Sequence, residues 1–168
     1  MAAMAAIPKG QRKAHYTKPF AVRELEGMYI DQRRMRYPDN PYLAPQDYDD
    51  RTANGLTKCI IDFIRFNGHQ AERINTTGRP IDQTRTFTDV TGRMRTIGSI
   101  KWIKGTTTNG SADISATIDG RSVKVEVKIG SDKQSQAQKE YQLTVEAAGG
   151  LYFLAHNFTE FKQWFDRL

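Results

Sequence analysis

Apolar positions recur at helical spacing through residues 53–66, where Leu56, Ile60, Ile61, Phe63 and Ile64 mark one face of an amphipathic helix. Asn67-Gly68 supplies a left-handed stop after it. Residues 20–36 also read as a short helix, interrupted at Gly27. Beyond the first stop the period changes from helical to alternating. Residues 70–75 read as a strand ending at Thr76-Thr77-Gly78-Arg79, and residues 85–104 as a β-hairpin turning at Thr91-Gly92 with positive charge on its exposed face. Residues 113–118 and 122–127 form a second hairpin, joined by Asp119-Gly120, the signal for a type I′ turn. Ser131-Asp132-Lys133-Gln134 matches a capping box and predicts a helix over about 132–147. Its apolar face is Ala137, Tyr141, Val145 and Ala148, with Gln134 and Gln138 projecting together from another face. Gly149-Gly150 ends that helix, Leu151–Ala155 reads as an apolar strand, and Asn157-Phe158-Thr159-Glu160 is a second capping box. A final helix carries Phe158, Phe161, Trp164, Phe165 and Leu168 as an inner stripe.

The order helix, strand, hairpin, strand, strand, helix, strand, helix predicts an α/β (α+β) fold with a small mixed sheet flanked by helices. Residues 1–51 read as a basic, irregular N-terminal arm containing the short helix, and residues 52–168 as the domain proper. Three prolines and several aspartates in 37–50 mark an extended segment.

Composition narrows the chemistry. No apolar run approaches the roughly 20 residues needed to span a bilayer, and no secretory signal is read at the N-terminus, so cytoplasm is the expected compartment. Cys59 is the single cysteine and falls inside the first amphipathic helix, which excludes a disulfide framework and a thiolate metal cluster. His15, His69 and His156 have no ligand-like spacing, which argues against zinc. The net charge of +6 is concentrated in residues 51–110, which hold 10 Lys+Arg against 4 acids. A basic segment just before a cluster of carboxylates suits a polyanionic substrate.

That cluster is Gly110-Ser111-Ala112-Asp113 followed by Glu126-Val127-Lys128. A tight turn at Asp119-Gly120 brings Asp113 near Glu126 and Lys128 on the antiparallel partner strand, with Val127 pointing into the core. Two facing carboxylates repel one another unless a cation lies between them, so the pattern points to a divalent metal held beside a phosphate. The alternative for Glu-x-Lys alone is a solvated strand face.

Taken with Ser135-Gln136-Ala137-Gln138 and Gly149-Gly150, these motifs resemble the PD-(D/E)XK nuclease superfamily. The similarity is greatest to its VRR-NUC branch, which in turn is similar to Holliday-junction resolvases. The resemblance covers about residues 52–168 and implies a restriction-endonuclease-like core and a Mg²⁺- or Mn²⁺-dependent nuclease. It implies Asp113, Glu126 and the Val127 carbonyl as metal ligands, Lys128 as the group that orients water or stabilises the transition state, and Gln138 as a hydrogen-bonding partner of water or phosphate. Arg73, Arg79, Arg93, Arg95, Lys101 and Lys104 are the expected contacts to a nucleic-acid backbone. DNA is the expected substrate, with branched or junction DNA and a homodimer in view, in replication, recombination or repair; small stand-alone proteins of this branch commonly look phage-derived, and the resemblance implies that origin here. The chain departs from the family where relatives carry a glutamate on the first helix: Asn54, Thr57 and Lys58 stand there, and Asp62 lies further along. That departure supports the alternative of a degenerate nuclease fold that binds nucleic acid without cutting it. A basic-surface protein that binds an acidic partner is a further alternative.

Overall fold

The computed structural model describes residues 16–75, 78–103 and 108–168. Helix α1 spans Phe20–Arg36 without a break. Gly27 lies on its exposed side, so the expected interruption does not occur. A glycine in a helix interior costs only about 1 kcal/mol relative to alanine. The burial of Val22 and Leu25 on the opposite side outweighs that. Helix α2 spans Ala53–Phe66, with the Thr52 hydroxyl accepting from the Gly55 N–H as its N-cap.

The central sheet has the order β1-β6-β7-β8, with β1 Gln70–Arg73, β6 Ile114–Ile118, β7 Arg121–Val127 and β8 Leu151–Ala155. β1, β6 and β7 are antiparallel neighbours, and β8 lies parallel to β7, so the sheet is mixed and the fold is α+β as the element order predicts. A parallel return needs a helical crossover, which α3, Gln136–Ala147, provides. Helix α4, Phe158–Phe165, follows β8 and is capped by the Asn157 side chain.

Alternation divides the sheet into two faces. Val123, Val125 and Val127 join Ile114, Ala116 and Ile118 in a buried cluster with α1, α2 and α4. Phe63 of α2 meets Phe158 and Phe165 of α4 edge-on, and Phe153 of β8 stacks on Trp164 at 4.7 Å. Cys59 is buried there, and burial pushes its thiol up to about 12, so it is inert. The other face carries Lys124, Glu126 and Tyr152, and α3 covers it, with Tyr141 meeting Tyr152 edge-on.

Residues 16–52 are part of this body. Tyr48 is buried, donates its hydroxyl to Asp62 at 2.7 Å, and donates its backbone N–H to the Glu26 carboxylate. The buried Asp50 accepts from the Tyr16 hydroxyl and from the first N–H of α4. Residues 37–52 are irregular, as the prolines indicate, but they are strapped to the core.

The expected hairpin at 85–104 is longer than its sequence suggests. β3 Arg85–Thr88 pairs with β4 Met94–Ile97, and β2 Arg79–Asp82 pairs with β5 Ile100–Ile103. The Gln83 N–H donates to the Ser99 carbonyl between them, so one register runs through a single two-stranded arm. Pro80 argues against a strand at 79–82, because proline lacks the ladder donor. In a two-stranded ribbon every strand is an edge, and the missing N–H can face solvent. No helix among the described residues is long and apolar enough to cross a membrane.

Candidate functional site

Asp119 and Gly120 both have positive φ, 47° and 76°, the backbone that a type I′ turn demands. The turn sets pairing from Ile118↔Arg121 to Ile114↔Val125. One step further along the same register, Asp113 faces Glu126. Asp113 is held from both sides: its carbonyl accepts from Ile74 N–H at 2.8 Å and its Oδ2 from Val127 N–H at 2.9 Å. Val127 itself points into the core, as alternation predicts.

Glu126 is 1 % exposed and Lys128 6 % exposed, so the Glu-x-Lys pair is not a solvated strand face. Lys128 Nζ lies 3.0 Å from Glu126 Oε1 and 3.4 Å from Asp132 Oδ2. Gln138 Nε2 donates to the same Glu126 Oε1. The second carboxylate oxygen, Oε2, is buried without a hydrogen-bond partner.

Burial pushes Glu126 up to about 7, and the negative charge of Asp113 pushes the same way against the hydrogen bond from Lys128. For Lys128, burial favours the neutral form, but the hydrogen bond and attraction from Glu126, with Asp132 behind it, outweigh that and raise its pKa. The site therefore holds more carboxylate than one ammonium can balance. Its chemistry fits one hard cation: two carboxylates on facing positions, one with an orphaned buried oxygen. Among the described residues no third Asp, Glu, His or Cys completes a metal-holding group with them. Asp62 is engaged elsewhere, by Tyr48 and by Lys58 at 2.8 Å.

Helix α3 begins later than its first capping signal. The chain contains Ser-x-x-Gln twice in succession, and the capping box that forms is Ser135 with Gln138. Residues 131–134 instead carry the chain away from β7, and Gln134 donates to Gln142 at 3.0 Å rather than projecting beside Gln138. The physical reason is that Gln138 makes two bonds at once. Its Oε1 accepts from Ser135 N–H at 2.9 Å while its Nε2 meets Glu126. A side chain bonded at both ends orients the Glu126 carboxylate. Gln138→Ala is expected to cost about 1–2 kcal/mol, from the lost cap and the lost partner of a buried carboxylate, measurable as a lower urea midpoint.

The loop before Asp113 meets the same helix turn. Gly110 has φ +77°, and a Cβ there would lie 2.3 Å from the Ala137 carbonyl oxygen. Backbone thus packs on backbone where Gly110-Ser111-Ala112-Asp113 crosses the start of α3.

The expected backbone-contacting cations divide into groups. Arg79, Arg95 and Lys101 lie on the two-stranded arm, joined there by Arg85, which the sequence reading missed. Arg93 lies in the turn at the arm's tip. Arg73 lies instead on β1 and donates to Asn54 at 2.8 Å. Lys104, like Thr76 and Thr77, lies outside the described residues.

Tyr152 was also missed. It shares the sheet face of Glu126, and its buried hydroxyl has no hydrogen-bond partner. Burial and then the charge of Glu126 push it up to about 12. Its position one strand over from Glu126, with the same alternation, was the available signal. No protein-family model matches this chain, and no curated protein matches it.

Proposed function

We propose that this chain is a metal-dependent phosphodiesterase acting on nucleic acid, DNA in the first instance, with a PD-(D/E)XK-type active site of the VRR-NUC kind. The observation that carries the reading is the buried, orphaned oxygen of Glu126 set across the strand from Asp113 and beside Lys128. Asp113 and Glu126, with the Val127 carbonyl, would hold Mg²⁺ or Mn²⁺. Such a cation lowers the pKa of a bound water and offsets charge on the scissile phosphate. Lys128, kept protonated by Glu126 and Asp132, supplies a fixed positive charge for the phosphate. Gln138 holds the Glu126 carboxylate in place. Branched DNA and a homodimer, in which two sites cut a junction, belong to this proposal.

A second reading has its own support. Lys128 and Gln138 already fill one oxygen of Glu126, and among the described residues no third acid completes a metal-holding group with Asp113 and Glu126. A degenerate nuclease fold that grips nucleic acid without cutting would look like this.

Cleavage separates the two. Supercoiled plasmid, linear single strands and a four-way junction, each with Mg²⁺ or Mn²⁺, are expected to be cut by the wild-type chain and not by Asp113→Asn or in EDTA. Binding of all three substrates with no cut under either metal would sink the nuclease reading and leave the binding module.

A further inference from the structure

We infer that the arm of residues 79–103 is a groove-binding ribbon for duplex nucleic acid, with one face against the duplex and the other away from it. The inference rests on the nucleic-acid reading above, but not on cleavage.

Cross-strand partners share a face of a two-stranded ribbon, so its register sorts every side chain. One face carries the pairs Arg79–Ile103, Ile81–Lys101, Arg85–Ile97 and Phe87–Arg95, with Gln83–Ser99 in the middle. Each of those four pairs joins one cation to one apolar side chain, and the cation alternates between the strands. The acid on this face is Asp89, beyond the last of these pairs, where its N–H donates to the Arg93 carbonyl in the same register. The opposite face carries Pro80–Trp102, Asp82–Ile100, Thr86–Thr96 and Thr88–Met94, with no cation. Asp89 at the tip binds Arg95 at 2.6 Å, whereas among the described residues Arg79, Arg85 and Lys101 have no ion pair.

Charge complementarity selects a polyanion for the cationic face. Shape selects a duplex. Ten residues of strand extend roughly 30 Å, close to one turn of B-form duplex at about 34 Å. A two-stranded ribbon is the width that a major groove of about 12 Å admits. Cations on both strands reach phosphates on both walls of a groove, while Ile81, Phe87, Ile97 and Ile103 lie between them, against base edges. A single strand has only one line of phosphates to meet them. The arm is exposed almost throughout, so no part of the body competes for this face.

The test is binding in EDTA, by fluorescence anisotropy, to a labelled duplex of about two turns and to one of its single strands. The duplex is expected to bind more tightly. Arg79→Gln, Arg85→Gln and Lys101→Gln combined should weaken duplex binding roughly tenfold or more and flatten the slope of log affinity against log salt by about 3. Met94→Gln with Ile100→Gln, on the other face, should leave both unchanged. Circular dichroism of each variant should match wild type, since the changes are on an exposed ribbon. Wild-type affinity and salt slope in the triple variant would overturn the inference, as would tighter binding of the single strand. Loss of binding in the opposite-face variant alone, with a halved mass in sedimentation, would overturn it in favour of a second copy of this chain. EDTA prevents cleavage, so a chain that never cuts can still pass this test and a cutting chain can fail it.

Discussion

Glu126→Gln is expected to lower metal-dependent cleavage roughly 10³-fold, the scale of losing a group that acts on transition-state charge. It should also flatten the dependence of stability on pH. Glu126 titrates near 7 in the folded chain against 4.5 as its ordinary value. The folded state therefore holds the proton more tightly than the unfolded state. The resulting stability is fully present below pH 4.5, declines as pH rises toward 7, and is gone above it. A shift of that size corresponds to about 3 kcal/mol. In EDTA, the wild type should unfold at a distinctly lower urea concentration at pH 8 than at pH 4.5, and Glu126→Gln should show far less of that difference. Mn²⁺ at pH 8 should restore the wild type, because a ligand that binds only the folded state adds about 2.7 kcal/mol at a hundredfold excess over its dissociation constant. It should do nothing for the variant. Equal wild-type midpoints at the two pH values in EDTA would remove the basis for this account of Glu126, whatever the cleavage result.

Gly110→Ala has the second large expected effect, and it links the loop to the helix. The left-handed backbone at φ +77° costs an alanine about 1–2 kcal/mol by itself. The added Cβ would also lie 2.4 Å from the Ala137 carbonyl carbon and 2.9 Å from the Gln138 nitrogen, both of them backbone atoms. Backbone cannot rotate away as a side chain end can, so either the loop or the first turn of α3 must move. A total loss of roughly 2–4 kcal/mol is expected. Activity should fall further than stability explains, since Asp113 lies on that loop and Gln138 on that turn. Gly149→Ala is the matched control. Its φ is +80°, but nothing lies within 4 Å of an added Cβ, so it carries the strain without the contact. Equal losses at the two glycines, measured by urea denaturation, would show that the close approach at Gly110 has no energetic consequence.

Much of the fold was legible because its determinants are local. The 3.6-residue spacing of Leu56, Ile60 and Ile64 predicts a helix over 53–66, and α2 has those bounds. Asp119-Gly120 predicts both the turn and the facing of Asp113 with Glu126, because a type I′ turn leaves one register open. The capping signals were legible as types but ambiguous in place. Ser-x-x-Gln occurs at 131–134 and at 135–138, and local chemistry ranks the two equally. The bond from Gln138 to Glu126, on another element, selects the second. Gly27 misled because it carries a true local penalty that the core burial of α1 overrides.

By itself, then, the sequence determined the element types, the mixed α+β order, the Asp113–Glu126–Lys128 neighbourhood and the excess of positive charge before it. Those follow from side-chain periodicity and turn backbone, which act over a few residues. The tertiary structure alone decided that Glu126 and Lys128 are buried, that one oxygen of Glu126 is left without a partner, that Gln138 donates to the other, and that the arm extends back to put Arg79 in the same register as Arg85, Arg95 and Lys101. Burial and pairing of that kind depend on which distant segments pack together. Here α3 lies over the sheet face that carries Glu126 and Tyr152, and no pattern within either segment encodes that contact.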